Sequence, residues 1–396
     1  MSDTVDLPLA GIRVLDLTTT LAGPYAAQIL GDFGADVIKI EAPGGDGIRN
    51  AGPGRSTGMS AVHFGLNRNK RSIELDLKTA PAKEALWRLI DGADVFLHAI
   101  RPHKIAALGF SPEAVLARNP GIIYAGLHGY HAHGPYGGRP AYDDVVQGEA
   151  GIAETFALRD GQPALVPSSF VDKNTGLIAA NGILAAIIQR QRTGQGLYLE
   201  IGMFEGMVAY NLVEHLYGRT FVPAEGEAGY ARAVSAYRRP HATKDGYICM
   251  LPYTDSQWRR FWNLAGRAEL CDDPRFATMN ARSHNIDDLY KIAGGLLTER
   301  TSEDWLTVMS EADIPSGRVN SFDDLLTNDH LNAIGFFRPY DHPSEGAIIT
   351  PDTAYRFDGK SLPVHRHHPK FGEHTREILS EAGYSDDEID AILKPS

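Results

Sequence analysis

The sequence predicts an α/β protein, with a Rossmann-like parallel sheet in a large domain and a smaller α/β domain beside it. Three observations lead there. Short β-branched runs alternate with helical stretches, the links between them are short, and an irregular stretch at Pro223–Arg239 separates a second, smaller alternation. At 396 residues the chain is about 2.6 times the ~150 residues of a typical domain, so two domains are expected.

Taken in order, Ile12–Leu17 reads as a strand, and a helix starts near Ala22-Gly23-Pro24 and runs to Phe33, where Gly34 ends it. Val37–Ile40 is the next strand. Ser72–Leu77 and Asp94–His98 are strands on either side of a helix at Ala82–Ile90, which Gly92 ends. Ser111-Pro112-Glu113 offers a Ser cap with Pro at the first helical position and leads on to a strand at Gly121–Leu127. Thr175–Gln191 is the most hydrophobic helix, and its composition predicts burial nearly all round. The strand Leu197–Ile201 and the helix Phe204–Leu216 follow. The Gly-, Ala-, Glu- and Arg-rich stretch after Pro223 marks a linker, which sets residues 1–222 apart from a linker and small domain at 223–334. There a strand from Tyr247, helices at Trp258–Leu264, Ile286–Leu297 and Ser302–Ser310, and a turn at Pro315-Ser316-Gly317 are expected. Asp341–Ser396 returns to β-like segments and ends in an amphipathic helix, Asp386–Leu393.

Composition excludes several functions. Lys and Arg number 38 against 50 Asp and Glu, a net charge of -12, which disfavours generic binding to nucleic-acid phosphates. Only Cys249 and Cys271 are present, too few for a disulfide framework or a cysteine-rich metal site, and they fit a reducing, cytoplasmic setting. Asp3 and Asp6 near the start are the reverse of a basic export signal. The longest apolar run, Leu177–Ile188, is interrupted by Asn181 and is shorter than the ~20 residues that span a bilayer, so no membrane is expected as partner.

No G-x-G-x-x-G, P-loop, H-E-x-x-H or G-x-S-x-G motif occurs. The clusters His128, His131, His133 and His365, His367, His368 sit in expected loops without Cys or Glu at ligand spacing, and no metal site is assigned to them. Asp172, just ahead of the Thr175 helix, reads locally as a helix cap. Arg68, Lys70 and Arg71 form a basic run, expected in a turn before the Ser72 strand.

Several segments, in order, resemble one family. They are Leu9-Ala10-Gly11-Ile12-Arg13-Val14-Leu15-Asp16-Leu17, Ala22-Gly23-Pro24, Gly34-Ala35-Asp36-Val37-Ile38-Lys39-Ile40-Glu41, Asn69-Lys70-Arg71-Ser72-Ile73, Gly134-Pro135-Tyr136, Tyr142-Asp143, Asp172 with Thr175-Gly176-Leu177, Arg192-Thr193-Gly194-Gln195-Gly196, Ile314-Pro315 and Gly372-Glu373-His374-Thr375. This set resembles the class III (CaiB/BaiF) CoA-transferases, a family that also holds 2-methylacyl-CoA racemases. The resemblance covers nearly the whole chain. It implies that residues 335–396 complete the large domain and that two ring-like subunits interlock as a homodimer. It also implies acyl-CoA and a free carboxylic acid as substrates, with no cofactor beyond CoA itself.

The resemblance makes Asp172 the nucleophile, since a carboxylate ionised at pH 7 attacks a thioester carbonyl to give a mixed anhydride. It implies CoA contacts at Lys70 and Arg71, with Arg68, His128 and the helix start at Ala22 beside them, and substrate contacts at Tyr142 and His131. Departures narrow the reading. His98-Ala99-Ile100-Arg101-Pro102-His103 stands where relatives carry Asn before a Gly-rich turn, while Leu21 and the sparse Gly226 and Gly229 weigh against oxalate. Tyr142 replaces the racemases' His and is a poor base near neutral pH, which favours transfer over racemisation. A non-catalytic acyl-CoA binder is the third alternative, and Arg232, Arg238 and Arg239 invite a dicarboxylate.

Overall fold

The computed structural model describes residues 7–393, so the acidic start around Asp3 and Asp6 lies outside the described residues. The chain divides into two compact units. The first runs through Ala150 and takes in Val166–Tyr210 and everything from Ala333; the second is Gly151–Leu165 with Asn211–Asn332. These borders differ from the 222/223 and 334/335 of the sequence reading. The helix Met203–His215 runs unbroken across the border at Tyr210, so no turn marks it in the sequence.

In unit 1 the strands β1 (Arg13–Leu17), β2 (Asp36–Glu41), β3 (Lys70–Glu74), β4 (Val95–His98), β5 (Ile123–His128) and β6 (Leu197–Gly202) form one sheet in the order β3-β2-β1-β4-β5-β6, every neighbouring pair parallel. The intervening helices are α1 (Ala22–Asp32), α2 (Ala61–Leu66), α3 (Ala80–Asp91), α4 (Pro102–Leu108), α5 (Pro112–Arg118), α6 (Asp143–Glu149), α7 (Ile152–Asp160, in unit 2) and α8 (Phe170–Thr193). The strand order reverses between β1 and β4, and ligands of doubly wound sheets bind beyond the carboxyl ends at such a switch point.

One core of unit 1 joins Leu15, Ile38, Ile73, Leu86 and Phe96 to Ile378 and Leu379 of the C-terminal helix Thr375–Glu381. Edge strand β3 is covered by that tail: the His374 N–H donates to Ser72 O (2.9 Å) and the Asn69 N–H to Arg366 O (3.0 Å). Unit 2 has its own core of Trp258, Phe261, Trp262 and Trp305. There β7 (His241–Ala242), β8 (Tyr247–Met250) and β9 (Ser316–Arg318) form an antiparallel sheet, so the expected turn at Pro315-Ser316-Gly317 gives way to a strand. Helix α8 starts five residues before its expected start at Thr175, which puts Asp172 inside its first turn. Its burial is not all round: Leu177 is 39% exposed and Ile188 59%. Among the described residues no helix is long and apolar enough to cross a membrane.

Of the basic run only Arg68 lies in the expected turn. Lys70 and Arg71 lie in β3 and are buried with Arg68, because each cation meets carboxylates inside unit 1. Lys70 Nζ donates to Asp16 Oδ2 (3.1 Å), Pro24 O (2.9 Å) and Asn67 Oδ1 (3.0 Å). Arg71 makes a two-pronged pair with Asp36 (2.6 and 3.0 Å) and also reaches Glu377 and Glu381. Arg68 forks onto Asp32 (2.7 and 2.8 Å). Removing one partner of a buried pair leaves the other charge uncompensated, at about 3–5 kcal/mol. Lys70→Ala is therefore expected to lower the unfolding free energy by about that much in a denaturant titration; a loss of CoA affinity at unchanged stability would contradict the assignment.

Candidate functional site

A cleft of about 360 Å³ opens at the switch point of unit 1, built from the loops after β1, β4 and β5 and the start of α8. It brings together Ala22, His128, Tyr142 and Asp172 of the residues singled out in the sequence. Arg68, Lys70, Arg71 and His131 do not line it. The cations at the cleft are instead Arg101 and Lys104, at the start of α4, and Arg139, whose guanidinium lies 4.2 Å from the centre of the Tyr136 ring. In the sequence Arg101 stands out only as a departure from the family pattern; the usable signal is its position just after a strand, on the carboxyl side of the sheet.

Buried charge shapes the first wall. Asp16 on β1 pairs in register with Lys39 on β2, and its Oδ1 accepts from the Thr18 hydroxyl and from the Thr18 N–H (3.0 Å). Lys39 Nζ donates to Thr18 O (3.0 Å) and Asp46 Oδ2 (2.9 Å), while Asp46 Oδ1 accepts from the Thr20 N–H (3.1 Å). The loop then turns into α1 in so little space that a Cβ on Gly23 would fall 2.3 Å from Thr18 Cβ. No side chain caps α1, which leaves its first-turn N–H groups open to an anion.

The second wall carries Asp172. Gly176 lets α8 approach α1, since a Cβ there would lie 2.8 Å from Ala22 O. The Asp172 N–H donates to Asp143 Oδ2 (2.9 Å), and Gln147 Nε2 holds Asp143 Oδ1 (2.6 Å). Gln147 is fixed in turn by the Val166 N–H (2.8 Å). A carboxylate in the first turn of a helix gains about 0.3–1 kcal/mol from the helix dipole. Burial and the facing Asp143 and Asp144 outweigh that and push the Asp172 carboxyl up to about 6.

At the cleft floor His128 ends β5 and is buried, not a loop histidine, and burial lowers its pKa. Its ring lies 5.5 Å from that of His98, which burial, then His128, pushes down to about 3. Both are neutral at pH 7, so the positive charge of the cleft comes from Arg101, Lys104 and Arg139. His131 is exposed, with its backbone N–H bound to Glu205 Oε1 (3.0 Å); Tyr142 is 70% exposed. In the other histidine cluster His368 is buried and bonds the Tyr340 hydroxyl (2.6 Å).

A doubly wound sheet that holds a half-buried carboxylate and a set of cations at its switch point defines an α/β enzyme for an anionic substrate. Over residues 9–375 the chain matches the model of CoA-transferase family III. It belongs to that family and is a CoA-transferase. It is 32% identical over 392 residues to succinyl-CoA:glutarate CoA-transferase of Mus musculus, covering 98% of this chain and 89% of that protein. It is 30% identical to formyl-CoA:oxalate CoA-transferase of Escherichia coli, covering 97% and 98%. The crystal structure of Rv3272 from Mycobacterium tuberculosis superposes with a TM-score of 0.80 at 31% identity, over 94% of this chain and 99% of that one. A CaiB/BaiF family protein from Brucella suis gives 0.79 at 31%, over 95% and 99%.

The raised carboxyl has a consequence for pH. A nucleophilic Asp172 must be ionised, so kcat/KM is expected to fall as pH drops through about 6. Asp143→Asn removes one of the facing charges and should move that acid limb to lower pH, read from the pH profile of thioester consumption; an unmoved limb would contradict the coupling.

Proposed function

We propose that this CoA-transferase moves CoA from an acyl-CoA donor to a carboxylic acid acceptor through covalent Asp172. The observation that carries the reading is the placement of Asp172 in a cleft with Arg101 and Lys104 at the switch point. The Asp172 carboxylate attacks the thioester carbonyl, the C–S bond breaks, and a mixed anhydride and CoA thiolate result. The thiolate attacks the aspartyl carbonyl, which releases the donor acid and leaves an aspartyl-CoA thioester. The acceptor carboxylate then displaces the thiolate to form a second anhydride, and the thiolate attacks its acyl carbonyl to give the new acyl-CoA and free Asp172. The first-turn N–H groups at Ala22 and Gly23 are suited to stabilise the developing oxyanion. Each step exchanges one acyl bond for another, so CoA enters only as substrate and product and no further cofactor is required.

Arg101 and Lys104 suit the phosphates of CoA, with Arg139, His128 and Tyr142 near the acyl end. The buried pairs of Arg68, Lys70 and Arg71 support a role in holding the first wall rather than in touching CoA. The exposed apolar faces at Leu177 and Ile188, on a helix whose composition suits full burial, support an interlocked homodimer as the working form. Free Cys249 and Cys271 support the cytoplasm as its compartment.

Incubation with acyl-CoA followed by hydroxylamine or borohydride is expected to modify Asp172, read by peptide mass spectrometry, and Asp172→Ala should lose transfer. A variant with full transfer rate overturns the mechanism. Arg101→Ala with Lys104→Ala should raise KM for acyl-CoA about tenfold or more with a smaller change in kcat, as expected for lost charge-assisted phosphate bonds.

A further inference from the structure

Two imidazoles share the floor of the cleft, and each has a buried ring nitrogen without a partner. His98 ends β4 and His128 ends β5. In the parallel register His98 faces Gly126, so His128, two residues further on, projects on the same side of the sheet. The bare α-carbon of Gly126 makes room for both rings: a Cβ there would fall 2.7 Å from His128 Nε2 and 3.5 Å from His98 Nε2. The rings of Tyr124 and Phe96 pack on His98 with 5.1 and 5.8 Å between centres.

Hydrogen bonding fixes the tautomer of one ring. His98 Nδ1 accepts from the Ile100 N–H (3.2 Å), so the proton of the neutral ring is on Nε2, where it is buried with no acceptor. On His128 it is Nδ1 that is buried without a partner, and Nε2 is the ring nitrogen left open on a residue that lines the cleft. The ring centres are 5.5 Å apart, a spacing that lets facing nitrogens meet at the about 3 Å of a hydrogen bond. A bond from His98 Nε2–H to His128 Nδ1 satisfies both buried atoms and puts the His128 proton on Nε2, toward the cleft. A metal ion between the rings finds no third ligand, since among the described residues no three His, Cys, Asp or Glu side chains come together to hold one. A charged proton shuttle is equally unsuited, because burial keeps both rings neutral at pH 7.

We propose that His128 is a further catalytic residue of the transfer reaction and that His98 is the positioning residue that sets its tautomer. The His128 Nε2–H donates to the acyl oxygen that gains negative charge as the Asp172 carboxylate adds to the thioester carbonyl, so the inference rests on the covalent reading of Asp172. A donor aimed where charge develops stabilises the transition state more than the ground state. Neutrality matters as well: an imidazolium in the same cleft would favour the ionised Asp172 carboxylate and make it a weaker nucleophile.

The test combines transfer kinetics with NMR of the full-length protein labelled at the histidine ring nitrogens. His128→Phe should lower kcat about tenfold or more while KM for acyl-CoA stays within about twofold, the split expected of a contact made only in the transition state. His128→Gln, which keeps a neutral donor, should recover most of that loss. His98→Asn keeps an acceptor for the Ile100 N–H and removes the Nε2 proton; it should lower kcat and turn His128 from a single Nε2–H tautomer in the wild type into a mixture. Melting temperatures show whether each variant is folded, and the wild-type spectrum decides where one is not. Full kcat in His128→Phe, a rise in KM alone, no recovery in His128→Gln, or a His128 proton on Nδ1 in the wild type would each overturn the proposal. Failure of aspartyl trapping in the wild type, with the dependence of kcat on His128 intact, would fall instead on the covalent reading of Asp172.

Discussion

The geometry of the cleft depends on three ion pairs buried under the loop that follows β1: Asp16 with Lys70, Lys39 with Asp46, and Glu41 with Arg49. Taking charges out of water costs several kcal/mol per ion, and attraction offsets this only where every remaining donor and lone pair is also satisfied. That condition turns charge into shape. Lys39 spends one donor on Thr18 O and Lys70 one on Pro24 O, so the two ammonium groups grip the backbone at either end of the Thr19–Gly23 segment that lines the cleft. Thr20 is held at φ 70° within that grip, a left-handed conformation that costs a residue with a Cβ about 1–2 kcal/mol. The N–H bond from Thr20 to Asp46 offsets part of that cost. Burial pushes Lys70 down to about 8 against the pull of Asp16, yet it stays charged at neutral pH, as the grip requires.

The opposite wall sets two effects against each other at one carboxyl group. The first turn of α8 favours a charged Asp172, whereas burial and two neighbouring carboxylates disfavour it, and the second set wins. The outcome suits a nucleophile. A carboxylate whose pKa is about 6 is more basic than a free one and is still largely ionised at pH 7. Asp143 cannot swing away to relieve the repulsion, because the Asp172 N–H and Gln147 hold both of its oxygens. The strain is therefore built into the hydrogen-bond frame.

Much of the fold was legible because it depends on local signals. The strands at Ile12, Asp94 and Leu197 and the helices at Ala82, Ile286 and Asp386 follow from apolar period, Ser and Thr caps and terminal glycines, and each is present within a few residues. Asp172 is singled out only through a resemblance, since one Asp near a helix start has no distinguishing period. The basic run was misplaced for a physical reason. Lys70 and Arg71 look solvated in one dimension, and the carboxylates that bury them lie 54 and 35 residues earlier, at Asp16 and Asp36, or 306 residues later at Glu377. The short helix Ile152–Asp160 was not assigned to the second unit, because membership depends on packing and leaves no mark in composition.

The same pairing logic gives the net charge of -12 a local meaning. At physiological salt, fields decay over about 8 Å, so the distant excess of carboxylates is screened while groups at contact are not. An anionic substrate then responds to cations that the protein has not already neutralised. Arg68, Lys70 and Arg71 are spent on carboxylates within the fold. Arg101 and Lys104 have no carboxylate partner among the described residues and stand at the switch point, where the sheet topology opens a crevice. An acidic chain can thus take an acidic ligand, provided the folding of its interior consumes one set of cations and leaves another free at the crevice.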